Sequence, residues 1–129
     1  DWGHAKDFVN AMWKILQHDK PDDFVISTGK TTSIRDFIIK AFKVLDIELG
    51  FEGKDQNEVG LIKSFPKKYA KIFHNEQVVI KVDSKYFRPT EVELLIGDSS
   101  KARKELDWIP KISLDVLIKE MVLNDIKKF

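Results

Sequence analysis

Three stretches of this chain repeat their apolar residues at roughly 3.6-residue spacing, and this limits the possible folds more than any other feature. In residues 4–19 the apolar positions are Ala5, Phe8, Val9, Met12, Trp13, Ile15 and Leu16. The set 5, 8/9, 12/13 and 16 makes one face of an amphipathic helix, which Pro21 and two aspartates end. Ile34, Phe37, Ile38, Ala41, Phe42 and Leu45 follow the same period. They stand behind Ser33-Ile34-Arg35-Asp36, a capping box with Asp in place of Glu. The third stretch runs from Leu114 to Ile126, capped by Ser113 and finishing on Lys127-Lys128, where cations suit a helix C-terminus. A shorter helix, capped by Ser99 or Ser100, runs through Leu106 and is broken by Asp107-Trp108 with Pro110.

Between the helices, Phe24-Val25-Ile26, Ile47 to Phe51, Val78 to Val82 and Glu91 to Ile96 read as short strands. Residues 54–77 hold Gly60, Pro66, several lysines and scattered apolar residues, and no period fits them. They read as a long surface loop with at most one helical turn, and as mobile. No internal repeat is present. The fold class expected is α+β, with three longer helices, one short helix and about four short strands in one domain, 1–129.

Several function classes fall away on composition and spacing. With 22 basic against 21 acidic residues, the net charge of +1 gives no general case for nucleic acid or an anionic membrane. There is no cysteine for thiolate chemistry, and no apolar run approaches the about 18 residues of a membrane span. The chain opens on Asp1 without a signal-peptide pattern and goes straight into a helical period, which reads as a piece of a larger protein. His4, His18 and His74 have no ligand-like spacing, so no metal is expected. No Gly-x-Gly occurs, and Thr28-Gly29-Lys30-Thr31-Thr32 carries only the tail of a phosphate-loop pattern, so it reads as a turn entering the Ser33 cap. Neither Tyr69 nor Tyr86 has a lysine four residues on. Hence no catalytic and no cofactor-binding residue is expected within these residues. Lys67, Lys68 and Lys71, interleaved with Phe65 and Tyr69, have the look of a single-strand platform but read as a solvated loop.

One segment survives as a binding candidate, Tyr86-Phe87-Arg88-Pro89-Thr90-Glu91. Pro89 pushes Arg88 into an extended conformation. A guanidinium fork suits two oxygens of a diphosphate, and the Glu91 carboxylate can accept from the cis-diol of a ribose. By itself the pattern also fits a surface ion pair.

The strings Asp1-Trp2-Gly3-His4-Ala5-Lys6-Asp7-Phe8-Val9 with Met12-Trp13, Tyr86 to Glu93, Gly97 to Ala102, and Leu106-Asp107-Trp108 with Pro110-Lys111 resemble the substrate-binding half of GDP-mannose 4,6-dehydratases. These belong to the extended short-chain dehydrogenase/reductase class. The resemblance covers nearly all of 1–53 and 78–126 and implies an N-terminal Rossmann domain carrying NADP, outside this chain, with a smaller C-terminal domain closing over the sugar nucleotide. It implies a lyase that oxidises GDP-mannose at carbon 4, eliminates water across carbons 5 and 6, and returns the hydride to carbon 6. The product is GDP-4-keto-6-deoxymannose, on a route to GDP-fucose. It also implies a cytoplasmic homo-oligomer, dimer or tetramer, with this portion inactive alone. By resemblance Arg88 grips the diphosphate, Glu91 meets the ribose, and an arginine normally stands just before the position of Asp1. Asp107 replaces a usual glycine and Ser99 a common proline, both as local turn adjustments. Residues 61–77 are longer and more basic than the family loop. Two alternatives stay open: the same portion of another nucleotide-sugar epimerase or reductase, or an interaction module using the basic loop.

Overall fold

The helix over Ala5–Leu16 (α1) starts where His4, in extended conformation, turns its ring back so that Nδ1 accepts the N–H of Lys6 at 3.0 Å. An imidazole thus serves as the cap that sequence reading did not find. In this computed structural model, which describes residues 1–88, 90 and 94–128, the remaining helices span Ile34–Lys43 (α2), Ser100–Leu106 (α3) and Leu114–Ile126 (α4). The strands span Glu48–Glu52 (β1), Val59–Ser64 (β2) and Val78–Lys81 (β3). The α+β class holds. The chain divides into two compact units, Asp1–Ile34 with Val92–Phe129, and Arg35–Glu91.

In the first unit, Ala11 of α1 packs on Ala102, Leu106 and Trp108, with Ile15, Phe24 and Ile26 around them. Asp7, only 7% exposed, latches this core. Its carbonyl accepts the Trp108 indole N–H at 2.9 Å, and its Oδ2 accepts the backbone N–H of Lys111 at 3.0 Å and of Ile112 at 2.9 Å. A buried carboxylate costs several kcal/mol unless it is bonded in this way. Helix α3 stops because Asp107 adopts the left-handed conformation (φ 48°) and Trp108 N–H returns to Ala102 O. The usual glycine of such a stop is here an aspartate, one of the few side chains that tolerate the region. Ser113 caps α4 as expected, accepting from Val116 N–H at 3.4 Å.

The second unit is α2 followed by an antiparallel meander in the order β1-β2-β3. Asp46 (φ 58°) ends α2, letting Ile47 N–H reach Phe42 O at 3.1 Å. Gly60 sits between Phe51 and Ile80 in the ladder, where a Cβ would stand 2.9 Å from Ile80 Cβ. Only glycine allows the three strands to approach there.

Three sequence expectations are corrected. Residues 54–77 are not a long loop: they contain β2, the central strand, with Leu61 and Ile62 buried. A strand covered on both faces shows no alternation, so its periodicity is invisible. The following turn is also tied down, since Glu76 N–H donates to Ile62 O at 2.8 Å and Ile62 N–H to Gln77 O at 3.0 Å. Phe24-Val25-Ile26 is not a strand, having no ladder partner among the described residues. The expected strand at Glu91 to Ile96 falls partly outside the described residues, and Leu94–Ile96 is irregular and exposed.

Candidate functional site

The approach to Arg88 is built by a turn after β3. Asp83 accepts the N–H of Lys85 on Oδ1 at 2.9 Å and that of Tyr86 on its carbonyl at 3.0 Å. This reverses the chain and leads through half-buried Phe87 to an exposed Arg88. Lys85 lies over the Tyr86 ring, 5.3 Å from its centroid. Glu91, the other expected site residue, lies outside the described residues, as does Pro89.

The string Gly97-Asp98-Ser99-Ser100 lines a shallow groove of about 320 Å³ in the first unit, with Gly29, Ile96 and Arg103. Ser27 Oγ donates to Gly97 O at 2.7 Å, and a Cβ on Gly97 would lie 2.6 Å from Ser27 Cβ. The glycine is therefore required by close approach of two segments. Asp98 accepts from both the hydroxyl and the backbone N–H of Ser100, which hold its carboxyl below the ordinary range. The side chain capping α3 is thus Asp98, while Ser99 makes no side-chain cap bond. Arg103, which sequence reading passed over, reaches Ser99 Oγ at 3.3 Å and Thr28 O at 3.4 Å. Its spacing of four from Ser99 on a helix was the available signal.

The Thr28-Gly29 turn is held by Asp1. Asp1 Oδ1 accepts from Thr28 N–H at 2.9 Å and Thr28 Oγ at 2.6 Å, while Oδ2 accepts from Gly29 N–H at 2.8 Å. These N–H groups are the ones a pyrophosphate would require at a glycine turn, and a carboxylate already takes them. Among the described residues, no group of three or more His, Cys, Asp or Glu could hold a metal ion, and no helix is long and apolar enough to cross a membrane.

A family profile described as GDP-mannose 4,6 dehydratase matches residues 1–121. The GDP-mannose 4,6 dehydratase of Homo sapiens is 46% identical over 127 residues, which are 98% of this chain and 32% of the human protein. That of Yersinia enterocolitica is 43% identical over 128 residues, 99% of this chain and 34% of its own length. GDP-mannose 4,6 dehydratase 2 of Caenorhabditis elegans is 50% identical over 127 residues, 98% of this chain and 30% of that protein. The chain spans about a third of the length of these relatives.

Proposed function

This chain belongs to the GDP-mannose 4,6-dehydratase family, and from that premise we propose that it is the sugar-nucleotide-binding portion of such an enzyme. The full-length protein would convert GDP-mannose to GDP-4-keto-6-deoxymannose and water, as a lyase supplying a GDP-fucose route. The observation that carries the reading is near-complete coverage of this chain by relatives that share this name at 43–50% identity.

In this proposal NADP is held by an N-terminal Rossmann domain of the short-chain dehydrogenase/reductase type, where it takes up and returns the hydride. None of that chemistry is assigned to these residues, so the 129-residue chain alone has no dehydratase activity. Its own work is binding. Arg88 forks onto the diphosphate oxygens, and Glu91 accepts ribose hydroxyls. The exposure of Arg88 and the Asp83 turn that presents it support this role. The full-length enzyme is proposed to be a cytoplasmic homo-oligomer, dimer or tetramer.

The test is to incubate the full-length protein with GDP-mannose and NADP and follow the 4-keto product. The reading predicts its accumulation, and none from the 129-residue chain. Turnover of a different nucleotide sugar, with GDP-mannose untouched, would replace this reading with the epimerase or reductase one.

A further inference from the structure

Residues 65–77, between β2 and β3, are more chain than a connection there requires. Adjacent antiparallel strands close with about two to five residues, yet here the chain builds a knuckle with packing of its own. Pro66 leads into one 3-10 turn over Lys67–Tyr69. Tyr69 N–H returns to Pro66 O at 2.9 Å, Ala70 N–H to Lys67 O at 3.1 Å, and the N–H groups of Ile72 and Phe73 both reach Tyr69 O at 2.9 Å. Phe73 meets Phe65 and Tyr69 edge to face, with ring centroids 6.3 and 6.0 Å away, and all three rings are half-buried. Lys67, Lys68 and Lys71 are left exposed, with Ile72 65% exposed beside them. Among the described residues, no carboxylate pairs with these three ammonium groups. Glu76, the one acid in the run, is taken by Lys63 at 2.9 Å. On a chain of net charge +1, this is a local excess of positive charge held on an ordered support.

We propose that Lys67, Lys68 and Lys71, with Ile72 beside them, form a docking surface for an acidic segment of a partner polypeptide. Other polyanions fit the knuckle less well. Bases need open ring faces for stacking, whereas these rings pack on one another and Lys68 Nζ lies 4.9 Å from the Tyr69 centroid. A phosphate nest needs free backbone N–H groups, and those of Tyr69, Ala70, Ile72 and Phe73 are already bonded to carbonyls of the turn. A membrane surface needs an apolar face besides a few cations, and one isoleucine does not supply it. Separate carboxylates along a peptide suit three hydrated point charges on flexible stems, and an apolar side chain of the same peptide would cover Ile72. The surface does not depend on the dehydratase reading.

Fluorescence anisotropy of a labelled poly(Glu-Leu) peptide, titrated with the full-length protein, tests this. The expected result is saturable binding that weakens with added salt. Replacing all three lysines by glutamine should weaken it about tenfold, the sum of three exposed pairs. Replacing all three by arginine should preserve it, and Ile72→Ser should weaken it less than the glutamine set. The melting temperature should not move, because the aromatic cluster and the turn bonds are untouched. Absence of saturable binding overturns the proposal, as does a glutamine variant that binds like the parent. Tighter binding to oligodeoxythymidine or to phosphatidylserine vesicles than to the peptide also overturns it, and would assign the knuckle to nucleic acid or to a membrane surface.

Discussion

The unit formed by Asp1–Ile34 and Val92–Phe129 holds its segments together from inside, and the Arg35–Glu91 unit ties its strands together at the surface. Asp7 and Trp108 bind the chain across about a hundred positions through buried hydrogen bonds. In the meander, Lys63 bridges Glu52 and Glu76 on the outer face, Ser64 donates to Glu48, and Arg35 pairs with Glu58. Among the described residues, every buried polar or charged side chain falls in the first unit: His4, Asp7, Ser27 and Ser99. The physical lesson is an asymmetry. Losing one partner of a buried bond leaves the other stranded, while losing an exposed pair returns both groups to water.

The largest effect expected from this comparison is at Asp7. Asp7→Ala strands two N–H groups and removes two charge-assisted bonds, a loss of about 3–5 kcal/mol in urea unfolding. Asp7→Asn should recover part, because an amide oxygen can still accept. The matching test in the meander is Ile62→Ala, in the strand that looked like a loop, which should cost about 2–4 kcal/mol. A cost near zero at Ile62 would restore the loop reading. Smaller and opposite in sign, Asp107→Gly and Asp46→Gly should each stabilise by about 0.5 kcal/mol, the relief of left-handed strain less the added freedom of the unfolded chain. Thermal melting would read both.

The smallest effects are in pH dependence. Ser100 holds the Asp98 carboxyl below its ordinary value, so its contribution is present above the unfolded value and lost as pH falls below about 4. Glu76 and then Glu52 hold the Lys63 ammonium above its ordinary value, so that contribution is present at neutral pH and lost as pH rises beyond about 10.4. Asp98→Asn should therefore flatten only the acid limb of the melting profile, and Lys63→Met only the alkaline limb. An alkaline change from Asp98→Asn would break the assignment.

Much of the first unit was legible because helices announce themselves by period and cap. Ser113 and the apolar run behind it place α4, and the Pro110 and Pro21 breaks are visible in the string. What was not legible had no local signature. His4 is not a usual cap residue, and its role depends on an extended backbone at its own position. Asp7 was an ordinary first-turn acid until the fold brought residues 111 and 112 to it. β2 was hidden because Val59-Gly60-Leu61-Ile62 is covered on both faces and neither alternates nor repeats. Arg88 was singled out by the chemistry of a fork beside a proline, while exposed Arg103, in an ordinary helical string, carries no such local sign.

The proposed binding role of this chain is tested most directly by Arg88→Ala in the full-length protein, with GDP-mannose as the proposed substrate. A charge-assisted bond is worth about 1.5–3 kcal/mol and about 1.4 kcal/mol is one decade, so the apparent substrate constant should rise at least about 10-fold. Arg88→Lys should restore only part, and NADP affinity should not move. An unchanged substrate constant with a lowered melting temperature would contradict the account, and would make Arg88 a structural ion-pair residue.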